Sequence, residues 1–495
     1  MDRQDFPHLQ TRRSFVRQAA CAAVGTFSLA NAIRDLRLIN TAAGQTSLSG
    51  YKALVCIFLA GGNDANNLVV PIGSDYASYA GIRQNLALPL SSLLPLNSLS
   101  SDPHQYGLHP NCGELATLFH SGKLATLFNV GPLVYPLTRA QYQAGSVPKP
   151  PQLFSHSDQV THWQTSIPDQ FPRTGWGGRL ADLMHPLQLQ LLADGTPTAN
   201  SAKISLCTSL AGANTFEVGD STSQYHVSET GAVTLSGMST AQTTALKNII
   251  GVGRANLQEK EYGKVVRNAL ATGDLLNVAT TRTRMSTDNP AGTWVWATPF
   301  PGTSLGRQLK MIARLIDAGA RSSSDITYPG LNMQRQIFFA SVGGYDTHTA
   351  QITNPTTTPD PLTGSHANLL NELSEAMYAF QKAMEQLGVD QSVTTFTASD
   401  FGRTFPTNGQ GSDHGWGNHH LIMGGAVSGQ RTYGTFPVHQ VNGPDDTSTG
   451  RWIPRTSVDQ YSATLAKWFG VSPGNMSAIF PNLGRFESAD LGFMG

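Results

Sequence analysis

Carboxylate and imidazole side chains are concentrated in the stretch FTASDFGRTFPTNGQGSDHGWGNHHLIMGG, which covers residues 396–425. An apolar, β-rich run ends at Asp400, and a loop rich in Gly, Asn and Ser then leads to His414. Such groups, placed just beyond the end of a strand, are what a metal site or an acid–base site requires. The next two histidines, His419 and His420, are interpreted either as groups behind that site or as loop histidines with local partners.

Two further aspartates follow apolar runs in the same way. Asp64 follows the run at residues 53–59 through a Gly-Gly pair, and Asp346 and His348 follow the run at residues 337–342 through another. Continuous apolar runs of this length are typical of strands buried on both faces of a parallel sheet. Carboxylates after such strands lie in the crevice where open α/β sheets bind ligands. For Asp64, an Asx turn or a helix N-cap is the alternative interpretation.

The elements that must position these groups form a strand–helix–strand unit. The spacing of apolar residues predicts a long helix over residues 366–387, between strands at 337–342 and 393–398. Such a unit has a right-handed crossover and two parallel strands, so Asp346 and Asp400 are expected at the same edge of one sheet. A predicted helix over residues 114–120 and a strand over residues 124–130 make half of another such unit. Together these patterns predict an α/β fold with a doubly wound, mostly parallel sheet.

A Pro-rich loop leads into the sequence SHSD, which begins with Ser155 and His156. One interpretation is that this segment lines the site and supplies a hydroxyl nucleophile, and the other is a capping box that begins a helix. A serine hydrolase has the least support, because the sequence contains no G-x-S-x-G elbow. Arg403 and Arg139 are candidate anion-binding residues, although either could pair with a structural carboxylate.

Residues 1–32 are predicted to form a signal peptide that is not part of the fold. The twin-arginine pattern TRRSFVR precedes an apolar run at residues 19–29 and an A-x-A cleavage site. A basic amphipathic N-terminus is the alternative. The run is too short to span a bilayer. The sequence therefore predicts export through the twin-arginine pathway to the periplasm or the cell exterior, and a mature domain over residues 33–495.

Composition argues against two classes of partner. The formal net charge is zero, charged residues make up 13% of the chain, and no basic run is present, which argues against nucleic acid and anionic membrane. Cys56, Cys112 and Cys207 follow the leader, and the last two could pair in an oxidising compartment. Their spacing matches neither a disulfide framework nor a zinc motif. Residues 188–300 show no catalytic pattern and are predicted to form a helical cap or insertion.

Several motifs taken together resemble a large secreted family, the domain-of-unknown-function family numbered fifteen-oh-one. They extend over nearly the whole mature chain and are specific in combination: GGNDANN, LHP, GGYDTH, SDFGRT and GSDHGWG. That family is similar to the alkaline phosphatase/sulfatase superfamily. The resemblance implies a doubly wound sheet with one or two divalent ions (Zn, Mn, Ca or Mg) at the strand ends.

The resemblance also implies a role for each matching residue. The expected metal ligands are Asp64, Asp346, His348, Asp400 and His414. Phe401 stands where the superfamily has a ligand histidine, which leaves room for a single ion or for a substitute ligand such as His156. Ser155 is the candidate nucleophile, and Arg403 is the candidate for stabilising the transferring group. Either His414 or His156 is the candidate for assisting the leaving group.

The leading prediction is a periplasmic metal-dependent hydrolase of phosphate or sulfate esters, acting on a small molecule or a polysaccharide. The alternative is a catalytically degenerate protein of the same fold that binds a polysaccharide or a co-exported protein partner at the cell surface. Phe401, in place of a ligand histidine, favours this alternative.

Overall fold

The computed structural model describes residues 48, 50–193, 204–232, 239–252 and 294–495 apart from 323, 326 and 329, with scattered positions between 256 and 292. The leader predicted at residues 1–32 lies outside this part of the chain, so export remains a prediction. None of the helices in the described residues is long and apolar enough to cross a membrane.

The strands of the described residues, in chain order, are β1 (Lys52–Leu59), β2 (Val69–Ile72), β3 (Leu94–Leu96), β4 (Gln105–Leu108), β5 (Leu124–Gly131), β6 (Cys207–Ser209), β7 (Tyr225–Ser228), β8 (Gly231–Ala232), β9 (Arg335–Val342), β10 (Val393–Ser399), β11 (Asn418–Gly424), β12 (Arg431–Tyr433) and β13 (Thr456–Ser457). The helices are α1 (Tyr76–Arg83), α2 (Gly113–His120), α3 (Arg139–Ala144), α4 (His156–Thr165), α5 (Trp176–Ala193), α6 (Thr240–Gly251), α7 (Ser304–Ala320), α8 (Ser365–Leu387), α9 (Val458–Phe469) and α10 (Met476–Ile479).

The central sheet has the strand order β12-β5-β11-β10-β1-β9-β6-β7-β8, with β13 paired to β5. Strands β10, β1, β9, β6 and β7 run parallel to one another, and β11 is inserted antiparallel between β10 and β5. Strands β2, β4 and β3 form a separate small antiparallel sheet. The predicted α/β fold with a mostly parallel sheet is therefore confirmed.

Helices flank the central sheet in two groups. Helices α2 and α7 each contact α8, and α4, α5, α9 and α10 form the second group. In the second group, Trp163 of α4 and Trp176 of α5 line a small cavity together with Phe58 and Phe396 of the sheet, and the ring centroids of Trp176 and Phe396 lie 5.6 Å apart. Successive side chains of a strand point to opposite faces, so the remaining residues of β1 face the first group of helices. Every residue of the strand except Lys52 is buried.

Register places three strand ends at one edge of the sheet, as the sequence predicts. Leu59 at the end of β1 pairs with Val342 at the end of β9 and with Ser399 at the end of β10. The connecting helix α8 ends at Gly388, which adopts a left-handed φ of 71°. The segments that carry Asp346 and Asp400 therefore leave the sheet side by side.

The sequence prediction missed strand β11. The sequence indicates a loop here, but Asn418–Gly424 is fully buried in the sheet and contains His419 and His420. Two features hide this strand in the sequence. The residues before it are rich in Gly and Asn, and two histidines replace apolar residues that usually mark a buried strand.

Part of the predicted cap belongs to the sheet. Within residues 188–300, the described residues 204–232 contain β6, β7 and β8, which continue the central sheet beyond β9. Helix α6 also lies in this range, and several of its other segments fall outside the described residues. Cys56, Cys112 and Cys207 are all buried and free, so the disulfide left open between the last two is not formed.

Candidate metal centre

Three side chains converge beyond the ends of β9 and β10. The ligand atoms of His156, Asp346 and His414 all lie within 4.8 Å of one another. His156 Nε2 lies 3.5 Å from Asp346 Oδ2, and His414 Nε2 lies 3.4 Å from Asp346 Oδ1. A tetrahedral zinc ion with bonds of about 2.0–2.1 Å separates its ligand atoms by about 3.4 Å. The spacing and the chemistry of these donors therefore fit a small divalent ion.

Hydrogen bonds on the outer nitrogens orient both imidazoles. His414 Nδ1 lies 2.7 Å from the carbonyl oxygen of Phe154, and His156 Nδ1 lies 2.7 Å from Asp400 Oδ2. Because Nδ1–H of each ring donates to one of these acceptors, Nε2 is the unprotonated nitrogen and presents its lone pair towards Asp346. Metal-binding histidines are usually held in this way by a carbonyl or a carboxylate.

His348 adjoins the group and is itself oriented by a carboxylate. Its Nε2 lies 2.8 Å from His414 Nε2 and 3.1 Å from Asp346 Oδ1, and its Nδ1 lies 2.9 Å from Asp413 Oδ1. Two imidazole nitrogens at this distance share a proton or a cation between them. Asn408 Nδ2 donates to the same Asp413 oxygen at 3.0 Å. His348 therefore lies beside the group and contacts two of its members, and its role as a ligand stays a prediction.

The electrostatic surroundings keep Asp346 ionised and His414 neutral. Burial raises the pKa of Asp346, but the hydrogen bond and positive charge of Arg403 outweigh it and lower the pKa overall. Burial lowers the pKa of His414, against the opposing hydrogen bond to Phe154. A carboxylate and a neutral imidazole are the protonation states that bind a metal.

Arg403 lies beneath this group. Its side chain is 0% exposed, and its Nη1 donates to Asp346 Oδ1 at 2.8 Å and to the carbonyl of Gly61 at 3.2 Å. Its Nη2 donates to the carbonyl of Ser412. Of the two interpretations of this arginine, the structure favours pairing with a carboxylate, because the guanidinium supports Asp346 from inside the protein.

Asp400 hydrogen-bonds to His156, whereas the resemblance implies that Asp400 is a metal ligand itself. Its Oδ1 accepts from the backbone N–H of Gly61 at 3.0 Å, and its Oδ2 faces His156. The ring of the next residue, Phe401, packs on His156 and His414 at centroid distances of 4.8 and 4.7 Å. A Cβ atom on Gly62 would lie 2.4 Å from that ring, so glycine is required there. Phe401 forms an apolar floor beneath both imidazoles.

The structure does not bring Asp64 into this group. Its carboxylate is completely buried and forms an ion pair with Arg83. Gln351 Nε2 also donates to Asp64 Oδ2 at 2.5 Å, and Asn66 Nδ2 donates to Asp64 Oδ1 at 3.1 Å. Its oxygens are therefore already occupied by donors from the protein.

Ser155 immediately precedes α4 but does not form the predicted capping box. Its backbone is extended, as expected for an N-cap, yet its side chain makes no capping hydrogen bond. Its Oγ instead donates to Asp158 Oδ2 at 2.6 Å. The helix begins with His156, so the interpretation as a site-lining segment is supported through that histidine.

His419 and His420 belong to the core of the sheet. His419 Nδ1 accepts from the backbone N–H of Asn129 at 3.1 Å, and His420 Nδ1 lies 3.3 Å from Thr397 Oγ1. Burial lowers the pKa of each imidazole to about 3. They are neutral, locally bonded side chains, and their place in a strand corrects the loop interpretation.

Arg451 is a residue at the centre that the sequence analysis missed. Its Nε donates to the carbonyl of His414 at 2.7 Å, and its guanidinium lies 4.3 Å from the ring centroid of Phe154. Its terminal nitrogens have no hydrogen-bond partner among the described residues. Arg139, the candidate named from the sequence, is instead bound to the Asp446 carbonyl and the Asn442 side chain. No motif around Arg451 marks it, so only the fold reveals its position.

A family model matches part of the chain. The model described as "Protein of unknown function (DUF1501)" matches residues 330–474. This range includes Asp346, His348, Asp400 and His414 but not His156. The match confirms the resemblance for this segment. No curated protein matches the chain.

Solved structures give only distant similarities. Ps i-CgsB in complex with k-i-k-neocarrahexaose aligns with a TM-score of 0.32 and 10% identity over 88% of this chain and 77% of that one. The C-terminal periplasmic domain of EcEptC from Escherichia coli, in complex with Zn, aligns with a TM-score of 0.30 and 10% identity over 88% of each chain. The phosphonate monoester hydrolase SpPMH from Silicibacter pomeroyi aligns with a TM-score of 0.30 and 10% identity, over 85% of this chain and 74% of that one.

Proposed function

We propose that this chain is an exported metal-dependent hydrolase of phosphate or sulfate esters. The observation that carries the proposal is the convergence of His156, Asp346 and His414 within 4.8 Å at the carboxyl edge of a parallel sheet. Each of the two imidazoles is oriented by a hydrogen bond on its outer nitrogen. Preorganised donors of this kind are typical of a metal centre and are not needed for packing alone.

The protein's own residues would divide the work at this centre. His156, Asp346 and His414 would hold a divalent ion, with His348 as a fourth donor. A bound ion would supply positive charge to polarise an ester oxygen and to stabilise the charge that develops on it. Arg451 would bind the anionic group through its terminal nitrogens, since its Nε is anchored on the backbone beside the metal ligands.

Ser155 is the proposed nucleophile, and Asp158 is the group that would receive its proton. Its Oγ would form a bond to phosphorus or sulfur as the bond to the leaving oxygen breaks. The hydroxyl proton would pass to Asp158 Oδ2, which already accepts its hydrogen bond at 2.6 Å. Water would then cleave the ester on Ser155 and release phosphate or sulfate.

The test combines metal content with turnover. Purified protein, loaded with Zn²⁺ or Mn²⁺ and desalted, is expected to retain metal by elemental analysis and to hydrolyse members of a panel of aryl phosphates and sulfates. His414→Ala and Asp346→Ala should lose both properties. If both variants match the parent in metal content and in rate on every substrate, the proposed centre is wrong.

One observation favours a second function, in which the chain binds a polysaccharide or a protein partner without catalysis. Phe401 places an apolar ring against His156 and His414, at the position where the resemblance implies a ligand histidine. A parent protein that binds metal through His414 but hydrolyses no member of the panel would favour this alternative.

A further inference from the structure

A buried ion pair lies behind the metal centre. Asp64 and Arg83 contact each other through Oδ2 and Nη2, and both side chains are 0% exposed. A carboxylate removed from water in this way requires a positive partner or several hydrogen-bond donors. Asp64 has both, because Gln351 and Asn66 also donate to it.

Gln351 connects Asp64 to two segments that carry the ligands. Its Nε2 donates to Asp64 Oδ2 at 2.5 Å, and its Oε1 accepts from Ser412 Oγ at 2.6 Å and from Thr347 Oγ1 at 3.3 Å. Thr347 lies directly after the ligand Asp346, and Ser412 lies two residues before His414. One amide therefore links the buried carboxylate to both ligand segments.

Asn66 and Arg83 connect the same carboxylate to the third segment. Asn66 Nδ2 donates to Asp64 Oδ1 at 3.1 Å and to the carbonyl of Arg403 at 3.3 Å. Arg83 Nη1 donates to the carbonyl of Phe405 at 3.0 Å. Arg403 in turn supports Asp346. The hydrogen bonds around Asp64 thus reach every segment after β9 and β10 that contributes to the centre.

Arg83 also neutralises the charge of Asp64. Burial raises the pKa of this carboxyl group, but the charge and hydrogen bond of Arg83 outweigh it and keep the pKa low. A divalent ion on the same carboxylate would lie beside the guanidinium, in a buried region where repulsion between cations is poorly screened. Asp64, which the resemblance makes a metal ligand, therefore does not fit a second ion.

We propose that the Arg83 guanidinium occupies the role of a second metal ion at Asp64, so that the centre binds one ion and Asp64 acts as a positioning residue. This inference rests on the proposed function, because it presumes an ion at His156, Asp346 and His414. Asp64 then holds the ligand segments in place and is not itself a ligand.

The number of Zn²⁺ ions per chain tests the inference without measuring turnover. After loading and desalting, the parent is expected to hold one Zn²⁺ per chain by elemental analysis. Asp64→Asn should also hold one, with a Zn²⁺ dissociation constant raised about 10-fold through looser ligands. Arg83→Met, which leaves Asp64 without its countercharge, should gain a second, weaker Zn²⁺, whereas the matched variant Arg83→Lys should stay at one.

The possible results separate this inference from the proposed function. Two ions in the parent and one in Asp64→Asn would make Asp64 a ligand and overturn the inference alone. A single ion in a folded Arg83→Met protein would also overturn it. If Arg83→Met does not fold, the counts in the parent and in Asp64→Asn decide. A parent that binds no Zn²⁺ would instead contradict the proposed function.

Discussion

His156 Nδ1 lies 2.7 Å from Asp400 Oδ2, and this pairing changes the role of the aspartate that follows β10. The backbone N–H of Gly61 occupies the other oxygen of Asp400 at 3.0 Å. The carboxylate therefore fixes the tautomer and the orientation of the imidazole, which presents Nε2 towards Asp346. The same arrangement recurs at His348, where Asp413 binds Nδ1.

Replacing Asp400 by Asn should weaken metal binding without abolishing it. Asparagine keeps the shape but loses the charge that holds the Nδ1 proton of His156. Loss of such an outer partner typically reduces metal affinity 10–100-fold. Titration calorimetry with Zn²⁺ should show a dissociation constant raised by about this factor, with the number of ions per chain unchanged.

Asp490→Asn is the matched control for this prediction. It also removes one carboxylate charge, but Asp490 pairs with Lys467 on the surface at 2.6 Å. Its Zn²⁺ affinity should equal that of the parent. Unchanged affinity in Asp400→Asn would show that the carboxylate does not orient a ligand, and complete loss of the ion would show that it is a ligand itself.

Arg451→Met should raise KM for aryl phosphates or sulfates by about 10–100-fold, with a smaller effect on kcat. Hydrogen bonds to charged groups contribute about 1.5–3 kcal/mol, and a bound anion would make them with the terminal nitrogens of Arg451. Arg451→Lys should recover only part of the loss, because an ammonium group cannot form two parallel hydrogen bonds. Steady-state kinetics on the metal-loaded protein provide the measurement.

Zn²⁺ affinity serves as the internal control for the Arg451 variants. Arg451 also donates to the carbonyl of His414 at 2.7 Å, so it could act by holding that ligand. If Arg451→Met loses metal affinity to the same extent as KM rises, the residue positions His414 and does not bind substrate. Arg431→Met, a substitution of an exposed arginine on β12, should leave both constants unchanged.

Metal binding should stabilise the parent against unfolding. An ion that binds only the folded state adds about 2.7 kcal/mol at a free concentration of 100 times its dissociation constant. Denaturant titrations with Zn²⁺ and with a chelator should differ by this amount in the parent and should coincide in His414→Ala. An equal Zn²⁺ effect in both proteins would place the ion elsewhere on the chain.

The sequence predicted the edge of the sheet on which the site lies. Apolar runs followed by Gly-Gly or Ser-Asp define the ends of β1, β9 and β10, and an amphipathic helix of fixed length between the last two imposes parallel pairing. The neighbouring positions of Asp346 and Asp400 follow from backbone geometry alone. The strand ends and the connecting helix depend on residues that are close together in the sequence, so the sequence alone predicts them.

The partners of each aspartate could not be predicted, because they depend on long-range packing. Asp64 and Asp400 look alike in sequence, since each follows a buried strand. In the fold, Arg83 from α1 neutralises Asp64, and His156 from α4 hydrogen-bonds to Asp400. No spacing rule relates these helices to the strand ends. Phe401, which the resemblance marked as a missing ligand, proves to be an apolar support for two imidazoles.

Glu217 should make the stability of the protein depend on pH. It is completely buried, and burial raises the pKa of its carboxyl group from 4.5 to about 8, against the opposing hydrogen bond from Asn214. Between these two pH values the folded state holds one more proton than the unfolded state. The stability contributed by the protonated form is therefore complete below pH 4.5 and is lost as the pH rises towards 8, by about 1.4 kcal/mol per pH unit.

Glu217→Gln should remove this slope, because glutamine does not titrate. The free energy of unfolding, measured by denaturant titration at several pH values, should fall for the parent relative to the variant between about pH 5 and 8 and then level off. Other buried groups, such as Asp459, titrate equally in both proteins, so they cancel in the difference. Glu487→Gln, at an exposed position, should follow the parent at every pH. A constant difference between parent and Glu217→Gln across this range would show that Glu217 is ionised in the folded state, with a cation or water reaching it beside Asn214.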